Sequence, residues 1–182
     1  MRIVGIDPSF TRTGMCILEG ENHSFISISS DKHMNTFDRQ KAILSGVCSN
    51  LKKYDIVTLE EFGVSARFAP SGKFCERIEL CGMLKLVLPK MTRLPWLSIT
   101  PSMLKSFATG KSTAHKEDVL DAIEKRWKVK PANNDEGDAF VLAQYTKSVI
   151  YEDLKEARRL KQFILFGDNE HKLKQIKFFS FA

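Results

Sequence analysis

Apolar positions in this chain come in short runs, and several of those runs end on or near an acidic residue. The first, Arg2-Ile3-Val4-Gly5-Ile6-Asp7, is β-branched and apolar apart from Gly5; Pro8-Ser9 breaks it and Met15-Cys16-Ile17-Leu18 resumes it. That pattern predicts an opening hairpin, with a third strand around residues 24–28. Phe37, Ile43, Leu44, Val47 and Leu51 recur at helical spacing, which predicts a helix over 37–51, and Asp55 marks the turn into the next strand. Residues 56–59 form a near-continuous apolar run of the kind buried on both faces of a sheet with parallel pairs. Residues 63–72, with Arg67, Phe68, Pro70 and Gly72, read as a loop. A helix is expected over 74–88, with an Ile78, Cys81, Leu84, Leu88 stripe and Pro89 as its stop. A short strand at 96–99, a Thr100-capped helical turn over 101–107, an amphipathic helix over 116–127 and a last core helix from the Asn133/Asn134 cap to about Ser148 complete the order.

Strands alternating with helices in this way argue for an α/β domain, a mixed sheet flanked by helices on both faces. It should occupy residues 1–150. Beyond it the pattern changes to a highly charged helical C-terminal extension over 151–182, ending in the basic aromatic Lys177-Phe178-Phe179-Ser180-Phe181. Lys172, Lys174, Lys177, Phe178 and Phe179 either grip DNA or dock the phenylalanines on the core.

At 182 residues with 43% hydrophobic and 27% charged positions, the chain suffices for one domain with a core. Its 28 Lys and Arg against 22 Asp and Glu give a formal charge of +6, which favours a polyanion such as nucleic acid, although a basic surface also serves solubility alone. Cys16, Cys48, Cys75 and Cys81 form no Cys-x-x-Cys pair and lie at no zinc spacing from a His, so they read as reduced, small core residues. No secretory signal pattern and no apolar stretch of membrane-spanning length is present, so the expectation is a cytoplasmic protein.

Three acidic sites stand out: Asp7, Glu60 or its neighbour Glu61, and the pair Asp135/Asp138. Each has an ordinary explanation as a turn residue, a solvated strand end or a helix-dipole partner. Together they place carboxylates at the ends of the most buried segments, where charge is costly unless a cation lies between them. Phosphodiester chemistry with two divalent ions roughly 4 Å apart needs about four such carboxylates. Oxygen donors without His or Cys suit magnesium or manganese rather than zinc. Asp135 and Asp138, at i and i+3, share a helix face and can both point towards the end of the Asp7 strand. Only one of Glu60 and Glu61 can face that same pocket.

Gly5-Ile6-Asp7-Pro8 followed by Thr13-Gly14, the run ending Leu59-Glu60, residues 110–119, and Pro131-Ala132-Asn133 leading into Asp135-x-x-Asp138-Ala139 together resemble the RuvC family of Holliday-junction resolvases, over roughly residues 1–148. The resemblance implies a ribonuclease-H-like fold, a homodimer, and magnesium-dependent paired nicking of four-way DNA junctions, with manganese substituting and two ions per site. It also implies 5′-phosphate and 3′-hydroxyl ends. By the same resemblance Asp7, Glu60, Asp135 and Asp138 are the catalytic metal ligands, which selects Glu60 over Glu61. Lys105 and Lys116 fall where the family has functional lysines near the scissile phosphate, with Lys116 counted among the catalytic residues. DNA contacts are expected from Lys105, Lys111, Lys116, Arg67, Phe68 and Lys73.

The chain departs from the family pattern at Ser9, Cys16, Ser112 and Thr113, and over residues 62–82, where the family supplies a wedge that stacks at the junction crossover and part of the dimer helix. Phe68 beside Arg67 is the first candidate wedge and Phe62 the second. The Ile78, Cys81, Leu84, Leu88 stripe is either core or dimer seam. These departures and the tail suggest a phage-encoded member with relaxed cleavage preference. Two other readings are a fork or flap endonuclease using the same chemistry and a non-catalytic junction-binding protein. The opening Gly-Ile-Asp also starts sugar-kinase and actin-like ATPases, but those need a second subdomain and glycine-rich phosphate loops that this chain lacks.

Overall fold

A computed structural model describes residues 1–61, 72–92, 96–150 and 164–165, apart from the side chains of 72–74 and 164–165. In chain order the elements are β1 (Arg2–Asp7), β2 (Arg12–Glu19), β3 (Asn22–Ser29), α1 (Thr36–Asn50), β4 (Asp55–Glu60), α2 (Gly72–Met91), β5 (Trp96–Ile99), α3 (Pro101–Thr109), α4 (Lys116–Trp127), α5 (Asn134–Ile150) and β6 (Ile164–Leu165). They form one sheet in the order β3-β2-β1-β4-β5-β6. The first three strands run antiparallel as a meander, β1, β4 and β5 are mutually parallel, and the short β6 returns antiparallel. This is the expected ribonuclease-H-like mixed sheet.

Period-two alternation in the central strands feeds two cores. Ile3, Cys16, Leu18, Ile56 and Ile99 face one side and pack with Phe107, Ile123, Phe140 and Tyr145 of α3, α4 and α5. Val4, Ile6, Met15, Ile17, Val57 and Leu59 face the other and pack with Ile43 and Val47 of α1 and Leu80, Leu84 and Leu88 of α2. Helices therefore cover both faces, and β1 and β4 are buried along most of their length.

The approach of α5 to the sheet depends on two glycines. A Cβ on Gly5 would stand 2.0 Å from the Ala139 carbonyl oxygen and 2.8 Å from the Ala143 amide nitrogen. One on Gly14 would stand 2.2 Å from the Asp135 carbonyl oxygen. Glycine at these places lets the first half of α5 lie directly on β1 and β2, and a hydrogen bond between the Thr58 and Thr146 hydroxyls ties α5 to β4 as well. At the far end of the central strands Arg2 donates to Asp55 Oδ2 at 2.7 Å and to the Asn50 carbonyl at 2.8 Å, closing a part-buried ion pair on the buried Asp55 where β1 and β4 begin.

Several expectations need correction. Pro89 does not stop α2, which runs on to Met91; proline forfeits one hydrogen bond, and so near the helix end the Thr92 N–H still closes the last turn on the Leu88 carbonyl at 2.9 Å. Phe37 does not reach the core: it lies in the first turn of α1 and is 65% exposed. In the α2 stripe Cys81, Leu84 and Leu88 are core, while Ile78 is exposed. Cys16 and Cys81 are buried as expected of core thiols, whereas Cys48 is half-buried and Cys75 exposed; all four are free. Thr100 and Asn133 cap as predicted, accepting from the amides of Met103 and Glu136. Of the C-terminal extension only β6 falls among the described residues. No helix among the described residues is long and apolar enough to cross a membrane.

Candidate active site

Parity along the strands decides which acids meet. Ile3 and Ile56 face the α5 side, and so Gly5 and Asp7 on β1, and Thr58 and Glu60 on β4, face it too. Asp7 and Glu60 thus close two neighbouring parallel strands on the same face, 4% and 5% exposed respectively. Glu61 leaves the strand in the other direction and pairs with Lys85 of α2 at 2.6 Å.

The third element at this corner is the N-terminal end of α5. Asp138 lies close enough to Asp7 for the two charges to repel, and Lys116, at the start of α4, and Lys105, on α3, attract it. Asp135, one turn earlier and nearer solvent, is turned into an ion pair with Arg12 of β2 at 2.7 Å. Asp135 still contributes negative potential at Asp7 and Asp138. Lys116 is exposed, Lys105 is half-buried, and Lys111 is exposed in the connection between α3 and α4. Lys73 lies in the first turn of α2, and Arg67, Phe68 and Phe62 fall outside the described residues.

One residue of this corner escaped the sequence reading. Arg77 of α2 reaches around the strand ends: its Nη2 donates to Asp7 Oδ1 and to Glu60 Oε2, both at 3.0 Å, and its Nε donates to the Pro8 carbonyl at 2.8 Å. The loop that follows Asp7 is held from its other end by Arg39, which donates to the Phe10 carbonyl at 3.0 Å and lies 4.2 Å over the Phe10 ring. Asp7 is thereby fixed between a rigid strand and an anchored turn.

Burial pushes the Asp7 carboxyl well above its usual range, and the Glu60 charge and a hydrogen bond shared with Glu60 add to this against the attraction of Arg77. Burial also raises Glu60, with Asp138 adding and Arg77 and Lys116 opposing. Asp138 is pushed up to about 7, by burial first and the Asp7 charge second. A raised carboxyl pKa means the folded chain holds a proton that the unfolded chain has released, so the associated stability is complete below about pH 4 and is lost as pH rises through 7. Melting in EDTA is expected to fall between pH 5.5 and 8, and Asp138→Asn is expected to flatten that slope; an unchanged slope in the variant would rule Asp138 out as its source.

Among the described residues no three acidic, histidine or cysteine side chains close to ion-holding distance. The donor chemistry nonetheless fits a hard divalent ion: the groups are carboxylates only, two are almost fully buried, and burial raises the pKa of both, a cost to their charged forms that a bound cation would offset. Such a corner can gather divalent cations and, with Lys116 and Lys105 at its rim, receive a phosphate.

The chain matches no family model. It is similar to the crossover junction endodeoxyribonuclease RuvC of Prochlorococcus marinus, with 26% identity over 153 residues that cover 79% of this chain and 96% of that protein. To the RuvC of Ralstonia nicotianae it is 27% identical over 134 residues, 68% of this chain and 70% of that one. Its fold matches Thermus thermophilus RuvC, solved in complex with a Holliday junction substrate, with a TM-score of 0.61 at 18% identity, covering 79% of this chain and 90% of the other. The resemblance carried by the motifs is thus borne out along most of the chain, in sequence and in fold.

Proposed function

We propose that this RuvC-like chain is a crossover junction endodeoxyribonuclease that resolves Holliday junctions by paired, metal-dependent nicks, leaving 5′-phosphate and 3′-hydroxyl ends. The observation that carries the reading is the buried Asp7–Glu60 pair on adjoining parallel strand ends, with Asp138 and Lys116 brought beside it, in a chain that resembles RuvC over most of its length.

Asp7, Glu60, Asp135 and Asp138 would hold magnesium, or manganese in its place, as two ions per site. When bound, the ions supply Lewis-acid activation of water and of the scissile phosphate. The chain's own part is largely positional. The strand ends fix Asp7 and Glu60, α5 brings Asp138 and Asp135 across the sheet, and Gly5 lets it come close enough. Asp138 would keep its carboxylate form beside the cations, since opposite charge lowers a carboxyl pKa. Lys116 and Lys105 contribute charge at the rim, where they can neutralise a phosphate as negative charge builds on it. Lys111, exposed in the connection between α3 and α4, would contact the backbone, a contact that positions DNA without reading sequence. A homodimer places two such sites on the two equivalent strands of a four-way junction.

Incubation of a labelled immobile four-way junction, a linear duplex and a fork with the protein in magnesium, and again in EDTA, tests the reading. Symmetric cuts in the junction alone, dependent on magnesium, are the expected result. Equal cleavage of the fork would make it a general branched-DNA nuclease, and no cleavage of any substrate in magnesium or manganese would overturn the enzymatic reading.

A further inference from the structure

The Arg77 guanidinium stands on the oxygens that a cation would need. Nη2 lies 3.0 Å from both Asp7 Oδ1 and Glu60 Oε2. A magnesium ion held by the same two oxygens would sit about 2.1 Å from each, leaving no room for a like-charged nitrogen in the same notch. Occupancy by Arg77 and by a divalent ion at these oxygens is therefore mutually exclusive. The guanidinium has a further hold that does not use the carboxylate oxygens, Nε donating to the Pro8 carbonyl at 2.8 Å. Its side chain is one-third exposed.

We infer that Arg77 alternates between two anions: it neutralises Asp7 and Glu60 until a divalent ion replaces it, and the released guanidinium then engages the substrate phosphate. Arg77 is thereby a competitor for metal at first and a phosphate-binding catalytic residue afterwards. The inference rests on the nuclease reading for its second half only, because competition for the carboxylates requires no DNA. A planar fork with several donors suits both partners, since carboxylate and phosphate present similar paired oxygens.

Mn2+ binding to the DNA-free protein, read by electron paramagnetic resonance, tests the first half in wild type, Arg77→Gln and Arg77→Lys. Arg77→Gln is expected to bind Mn2+ at least about fivefold more tightly and to melt lower than wild type in EDTA, with Arg77→Lys between the two. Equal or weaker Mn2+ binding by Arg77→Gln would overturn the competition. Should Arg77→Gln fail to fold, the wild type still decides: the Arg77 Nε–H resonance must shift on Mg2+ titration, and its indifference to saturating Mg2+ overturns the proposal. Junction cleavage at saturating Mg2+ tests the second half. Arg77→Gln is expected to lose roughly tenfold or more in rate, with partial recovery in Arg77→Lys, and an undiminished rate would remove the phosphate role. If the wild type cuts no DNA while Arg77→Gln still binds Mn2+ more tightly, the nuclease reading has failed and the competition stands.

Discussion

Asp7→Asn is expected to abolish junction cleavage while leaving junction binding intact. The substitution keeps the size and much of the hydrogen bonding of the side chain but removes the charge that, on the proposed reading, holds the cations. A metal-stabilised transition state is worth several kcal/mol, so the rate should fall by about 10³-fold or more. The fold has little to lose. Asp7 is destabilised as an anion by burial and by Glu60, so its neutral amide relieves repulsion, and melting in EDTA at pH 8 should rise. The informative outcome is therefore a more stable protein that binds a four-way junction in a mobility-shift assay and does not cut it. A variant that cuts at a tenth of the wild-type rate would mean that Asp7 is no metal ligand.

Gly5→Ala carries the largest expected cost in stability. Its Cβ would lie 2.0 Å from one α5 backbone atom and 2.8 Å from another, and a helix backbone cannot rotate aside as a side chain can. Either α5 lifts from β1 or the strand buckles, at a cost of roughly 3 kcal/mol or more and about 10 °C in melting temperature for a chain of this size. Because α5 carries Asp138 and Asp135, the same displacement moves two acids away from Asp7, so cleavage should suffer even where the variant remains folded. Gly82→Ala is the matched control. Nothing lies within 4 Å of a Cβ there, and alanine within α2 should be neutral or stabilising by up to about 1 kcal/mol. Equal melting temperatures for the two variants would contradict the close approach at Gly5.

The sheet and the acids were legible because they rest on local pattern. The Ile3–Ile6 and Ile56–Leu59 runs are apolar on both faces, so they had to be central strands, and any acid at their ends had to be costly. The amphipathic helix at 116–127 was read to the residue because its apolar stripe, with Val119 and Ile123 buried, is clear in the sequence. Arg77 was not legible. A lone arginine in a helix reads as part of a solvated face, and its actual position depends on how α2 crosses the strand ends, which is set by tertiary packing. A signal did exist: Arg77, Cys81 and Lys85 follow one another at four-residue steps around a buried thiol, and the two basic groups meet Glu60 and Glu61 in turn. Pro89 misled for the complementary reason, as its rule against helix interiors loosens within the last turn.

Arg2 and Asp55 open the two strands that Asp7 and Glu60 close, and each strand is six residues long. The opposite charges at the start satisfy one another in a part-buried pair, and the like charges at the finish do not. A slip of one residue between β1 and β4 would break the first pair and send an acid to the wrong face of the sheet. The alignment of the two carboxylates is therefore stored as a residue count, measured from an ion pair roughly 16 Å away. Apolar residues between the ends can be exchanged for one another within the limits of packing, whereas a single insertion in either strand would leave every side chain present and the site out of step.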